Sequence, residues 1–135
     1  MVVADELQKI VGMLVERFKP KAIILFGSRA RGDWVPWSDY DLLIIADFEN
    51  KYLDRIKIIL DLLGDTVLNI EPHPYTLEEA VQMLSKGNPI IVNAIEEGIV
   101  LYSTSEYEIL LEKYRELREK GLRRTHTTVI LPDKL

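Results

Sequence analysis

Leu7, Ile10, Val11, Leu14, Val15 and Phe18 recur at helical spacing, which predicts an amphipathic helix over residues 4–18. Pro20 stops it. Two nearly unbroken apolar runs follow, over residues 21–26 and 39–46. Such runs read as central strands covered on both faces. Residues 51–63 return to helical spacing, with Leu53, Ile56, Leu60 and Leu63 on one face and Ile58, Ile59 and Leu62 widening the stripe. Gly64-Asp65 is a turn. From Thr66 to Glu71 the chain alternates, with Val67, Asn69 and Glu71 on one face and Leu68 and Ile70 on the other. This predicts a third strand that Pro72 and Pro74 end or turn into an edge.

Thr76-Leu77-Glu78-Glu79 is a capping box. It opens a helix whose inward positions are Leu77, Ala80, Val81 and Leu84. Asn88-Pro89 opens another helix, which Gly98 ends, and Ile99 to Tyr102 is a short strand. Ser105 to Glu108 reads as a second capping box. Its helix turns Tyr107, Leu110, Leu111, Tyr114 and Leu117 inward and stops at Gly121. Residues 1–122 are thus expected to form one domain. Residues 123–135 form a C-terminal arm, in which Thr127 to Leu131 is either an added strand or part of a partly ordered tail.

Bulk properties narrow the function classes. The chain has 135 residues, 47% hydrophobic and 29% charged, an ordinary composition for a globular domain with a real core. No apolar run approaches the roughly 20 residues that span a bilayer, and Met1 to Glu6 do not look like a signal peptide. Cysteine is absent, which removes disulfides and thiolate metal sites and suits the cytoplasm. The net charge of −5 argues against a protein that wraps duplex nucleic acid.

The chemistry concentrates in Gly27 to Asp41. Gly27-Ser28 follows one apolar run, and ten residues separate Ser28 from Asp39-Tyr40-Asp41, which opens the next. This reads as strand, tight turn, short helix, loop and a strand carrying two carboxylates. Alternate strand residues share a face, so Asp39 and Asp41 are expected side by side. Their mutual repulsion calls for a cation, and oxygen ligands suit Mg²⁺. Gly27 lets backbone approach phosphates closely. Ser28 opens the short helix with a hydroxyl and an amide for an anion. Arg29 and Arg31 lie just beyond, placed to steer a triphosphate and stabilise pyrophosphate. The plainer readings are an ordinary helix start at Gly27-Ser28 and a solvent-facing strand entry at Asp39 and Asp41.

The stretch resembles the minimal nucleotidyltransferases of the polymerase-beta-like superfamily, whose signature is Gly-Ser, a spacer and Asp-x-Asp, matched here at Gly27, Ser28, Asp39 and Asp41. Glu71 to Glu79 resembles the family's third strand and following helix, and Asn88 to Tyr102 its next helix and short strand. The resemblance implies an α/β domain with a mixed sheet and helices packed mainly on one face. It implies Mg²⁺-dependent transfer of AMP from ATP to a protein acceptor, with two metal ions held by Asp39, Asp41 and Glu71. Glu71 stands where the family usually has Asp. The expected partner is a HEPN-type protein, with this chain as the antitoxin of the pair. Two alternatives are a nucleotide-binding antitoxin without turnover, and a small-molecule nucleotidyltransferase working as a homodimer.

Three further features carry plainer readings. His73 reads chiefly as a neighbour of the site or a surface residue, and only secondarily as a metal ligand. Trp34 and Trp37 flank the loop before Asp39, either to stack on a base or to anchor the loop or meet a partner. With residues 51–63 they predict an exposed apolar patch. Lys120, Arg123, Arg124 and His126 form a basic group best read as complementing a helix C-terminus.

Overall fold

The computed structural model describes residues 3–125 and 128–132. Its elements run α1 (Val3–Phe18), β1 (Ala22–Phe26), α2 (Ser28–Arg31), β2 (Tyr40–Ile45), α3 (Tyr52–Leu63), β3 (Ile70–Tyr75), α4 (Leu77–Ser85), α5 (Pro89–Glu97), β4 (Ile99–Ser103), α6 (Tyr107–Glu119), β5 (Arg123–Arg124) and β6 (Val129–Ile130). Four strands make a mixed sheet in the order β3-β2-β1-β4. β1 runs antiparallel to β2 and β4, and β2 runs parallel to β3.

The two apolar runs occupy the centre of this sheet because both of their faces are covered. Ala22, Ile24, Phe26, Leu43 and Ile45 pack with Ala80 and Leu84 of α4, Ile91 and Val92 of α5, and Leu110 and Leu117 of α6. Ile23, Leu25, Leu42 and Ile44 pack with Ile10 and Leu14 of α1 and Ile59 and Leu63 of α3. The mixed α/β sheet is therefore as expected. The helices, however, line both faces and do not gather mainly on one.

β3 begins four residues later than the alternation suggests and runs straight through both prolines. Among the described residues it is an edge strand, paired only with β2. The amide of Tyr40 donates to the carbonyl of Asn69, and that of Ala46 to Tyr75, so the odd-numbered residues bond to β2. Ile70, Pro72 and Pro74 turn their backbone groups to the open edge, where a missing N–H costs the ladder nothing.

Two helices also differ in detail. α3 turns Arg55, Ile59 and Leu63 inward and leaves Leu53 and Leu60 exposed. Its rotation follows the buried guanidinium of Arg55, which donates to the carbonyls of Asn50 and Pro74 and to both carboxylate oxygens of Glu79. The box at Thr76 forms as expected, with Thr76 Oγ1 accepting from the amide of Glu79 and Glu79 accepting from that of Thr76. The second box does not form. Ser105 lies in a backbone turn, and Glu108 instead pairs with Arg115 at 2.6 Å.

In the C-terminal arm β5 pairs antiparallel with β6, and Val129 packs against the core. Thr127, part of the expected added strand, and His126, part of the basic group, lie outside the described residues. Arg123 donates to the carbonyls of Arg118 and Leu122, serving the end of α6. Among the described residues no helix is long and apolar enough to cross a membrane.

Candidate active site

The site sits where β1 ends and β2 and β3 begin. Phe26 is opposite Asp41, and Asp41 is opposite Glu71. Gly27 follows at φ +77°, and a Cβ on it would lie 2.5 Å from Asp41 Oδ2. Glycine is required here twice, for the left-handed backbone and for the space the carboxylate fills. α2 then opens at Ser28, and its first turn closes when the amide of Gly32 donates to the carbonyl of Ser28.

The β2–β3 register carries Asp41, Glu71 and His73 to one face. One donor atom from each lies within 4.8 Å of the other two. His73 Nε2 is 3.1 Å from Asp41 Oδ1. Burial by itself would raise the Asp41 carboxyl. Hydrogen bonds with His73 and Glu71, and the charges of His73 and Arg31, hold it below the usual carboxylate range. Glu71 moves the other way. Its hydrogen bond with Asp41 raises it above the ordinary value, and burial and the Asp41 charge add to this. Two carboxylates this close cannot both carry full charge without a proton or cation between them. The donor set, two carboxylates and an imidazole nitrogen within 4.8 Å of one another, suits a divalent cation.

The other expected site residues are placed differently. Asp39 lies before β2 begins, so strand alternation does not pair it with Asp41, and its Oδ1 accepts from the side-chain amide of Asn69. Asp39 still faces the site closely enough for its charge to help raise Glu71. Arg29 is built into the loop that follows α2. It donates to the carbonyls of Ser38 and Pro36, and its guanidinium lies 4.4 Å from the ring centroids of Trp34 and Tyr40. Trp34 thus anchors the loop, and Trp37 is 79% exposed. Arg31 reaches Glu97 at 2.8 Å and Asp33 at 3.3 Å. His73, read chiefly as a bystander, stands inside the cluster. The parity of Glu71 and His73 was the available signal, hidden by the reading of Pro72 as a strand end.

Known proteins are similar to this chain in sequence or in fold. A Methanocaldococcus jannaschii protein provisionally named a protein adenylyltransferase is 36% identical over 88 residues, covering 64% of this chain and 82% of its own length. A second, with the same provisional name, is 33% identical over 89 residues, and the match spans 64% of this chain but only 60% of that protein. Two solved structures share the fold. One is a toxin–antitoxin complex with AMP-PNP, at TM-score 0.55 and 19% identity, covering 83% of this chain and 86% of the other. The other is a tri-AMPylated Shewanella oneidensis HEPN toxin in complex with MNT antitoxin, at TM-score 0.50 and 17% identity, covering 86% and 89%. Residues 8–107 match the family model described as Polymerase beta, Nucleotidyltransferase; that stretch holds all four strands of the main sheet, and the chain belongs to this family of nucleotidyltransferases.

Proposed function

We propose that the chain transfers AMP from ATP to a hydroxyl of a protein acceptor, a HEPN-type toxin that it accompanies as antitoxin. The observation that carries this reading is the meeting of the Asp41 and Glu71 carboxylates beside the Gly27 turn. Family membership supplies the reaction class. The names of the relatives and the AMPylated toxin in the similar complex support the acceptor, and the complex with AMP-PNP supports the adenine nucleotide.

Asp41 and Glu71, with Asp39 at the mouth of β2, are the residues that would hold divalent cations. Such ions, Mg²⁺ in this reading, would supply charge neutralisation for the triphosphate. Ser28 and the first amides of α2 are donors for phosphate oxygens, and Arg31 adds positive charge beside them. The acceptor oxygen bonds to the α-phosphorus while the bond from that phosphorus to the bridging oxygen breaks. Pyrophosphate leaves with the electron pair. The hydroxyl proton passes to a carboxylate, a role assigned to Glu71.

The test is mass spectrometry of a HEPN-type partner incubated with the chain, ATP and Mg²⁺. The wild type is expected to add adenylyl groups, and Asp41→Asn to lower the rate by about 100-fold or more. Equal modification by both proteins overturns the assignment. A second reading, neutralisation by contact without turnover, draws on the engagement of Asp39 by Asn69 and of Arg29 by its own loop. It requires a wild type that silences the partner while adding no mass.

A further inference from the structure

Glu71 and His73 are alternate residues of β3, and the register with β2 puts them on the face that carries Asp41. We propose that His73 is a direct nitrogen ligand of the site's divalent cation, and that in the nucleotide-free site it shifts preference from Mg²⁺ toward first-row transition ions. The proposal rests on the nucleotidyltransferase reading for the location of the metal, but it concerns a residue outside the Gly-Ser and Asp-x-Asp signature.

The geometry suits a ligand. Neighbouring donors on an octahedral ion that holds them at about 2.1 Å stand about 3 Å apart. His73 Nε2 and Asp41 Oδ1 are 3.1 Å apart, and Glu71 brings a third donor within 4.8 Å of both. The imidazole is not free to swing away. It lies 5.0 Å from the Phe26 ring, tilted by 59°, and Phe26 belongs to the buried core. The side chain of His73 is only 14% exposed. The two carboxylates bring two negative charges to one dication. Mg²⁺ prefers an all-oxygen shell, whereas imidazole suits the transition series and carboxylates suit Mn²⁺. A nitrogen in the shell therefore shifts preference away from Mg²⁺.

Mn²⁺ is the probe, added to the full chain without nucleotide and read by pulsed electron paramagnetic resonance. The wild type is expected to show nitrogen hyperfine coupling to bound Mn²⁺, and His73→Gln to lose it. His73→Gln is expected to weaken Mn²⁺ binding by about tenfold or more while Mg²⁺ affinity, read by competition, changes by less than about threefold. His73→Asn, which keeps an amide facing Asp41, gives the same result if the imidazole acts as a ligand and not only as a hydrogen-bond donor. Wild-type protein that binds no Mn²⁺, or binds it without nitrogen coupling, overturns the proposal, as does equal loss of Mn²⁺ and Mg²⁺ in the variants. AMP transfer is measured separately. Nitrogen coupling without transfer upholds the ligand and ends the transfer reading, and transfer without coupling does the reverse.

Discussion

At the scale of residues, Gly27 and Asp41 explain each other. The glycine turns the chain out of β1 with a positive φ, and its missing Cβ leaves the space that Asp41 Oδ2 occupies. Gly32 also has a positive φ, +92°, but nothing lies within 4 Å of where its Cβ would stand. The two positions separate backbone strain from the loss of the site. Gly32→Ala is expected to cost about 1 kcal/mol and to leave Mg²⁺–ATP binding intact. Gly27→Ala is expected to cost about 2–3 kcal/mol and to abolish metal-dependent binding, because the carboxylate must move. Calorimetric melts and nucleotide titrations of both variants check this. Similar binding losses in the two would show that the turn, and not the space beside Asp41, is what matters. Gly27 and Asp41 are legible because each sits at the border of an apolar run. Asp39 is less legible, because alternation holds only inside a strand and β2 starts at Tyr40; its Oδ1 is engaged by Asn69.

At the scale of elements, edge strand β3 was the least legible part of the fold. Its prolines satisfy the rule for sheet edges only once the edge is known, and pattern alone does not say which strand lies outermost. Arg55 seals that edge. From α3 it takes the outward carbonyl of Pro74 and clasps Glu79, the residue that also closes the capping box of α4. A charged residue in the inward stripe of an apolar helix is what hides the true face of α3 from a hydrophobic count. The Arg55 hydrogen bond is the main reason the Glu79 carboxyl stands below its ordinary value of 4.5, against an opposing push from burial. A carboxyl lowered by folding stabilises the fold above its unfolded value, and the contribution disappears as pH falls through the folded one. Glu79→Gln is therefore expected to lower stability by about 1–2 kcal/mol at pH 7, a figure kept modest because the Glu79 side chain is 42% exposed. The gap from wild type should narrow as pH drops below 4.5. Thermal melts across pH 3–7 check it, and a gap that stays constant would remove the charge from the explanation.

At the scale of the whole molecule, one carboxylate ties the short helix α2 after β1 to the β5–β6 pair. Glu97, at the end of α5, holds Arg31 of α2 at 2.8 Å through Oε1 and Arg124 of β5 at 3.0 Å through Oε2. Arg124 also reaches Asn93 and Glu96. Arg124 therefore fastens β5 to α5. None of this was legible in the sequence, since residues 31, 97 and 124 share no local pattern and meet only through the sheet. Under the proposed function, Glu97 competes with the triphosphate for Arg31. Glu97→Gln removes the competing charge but keeps a side chain of the same length. Arg31 is 43% exposed, so solvent screens the pair and the gain is modest, about 0.5–1 kcal/mol, or two- to fivefold tighter Mg²⁺–ATP binding. The same substitution weakens the hold on Arg124, so amides of residues 122–125 should exchange hydrogen faster. Calorimetric titration gives the first readout and hydrogen exchange the second. Weaker nucleotide binding in Glu97→Gln would show that Glu97 positions Arg31 for the phosphates and does not compete with them.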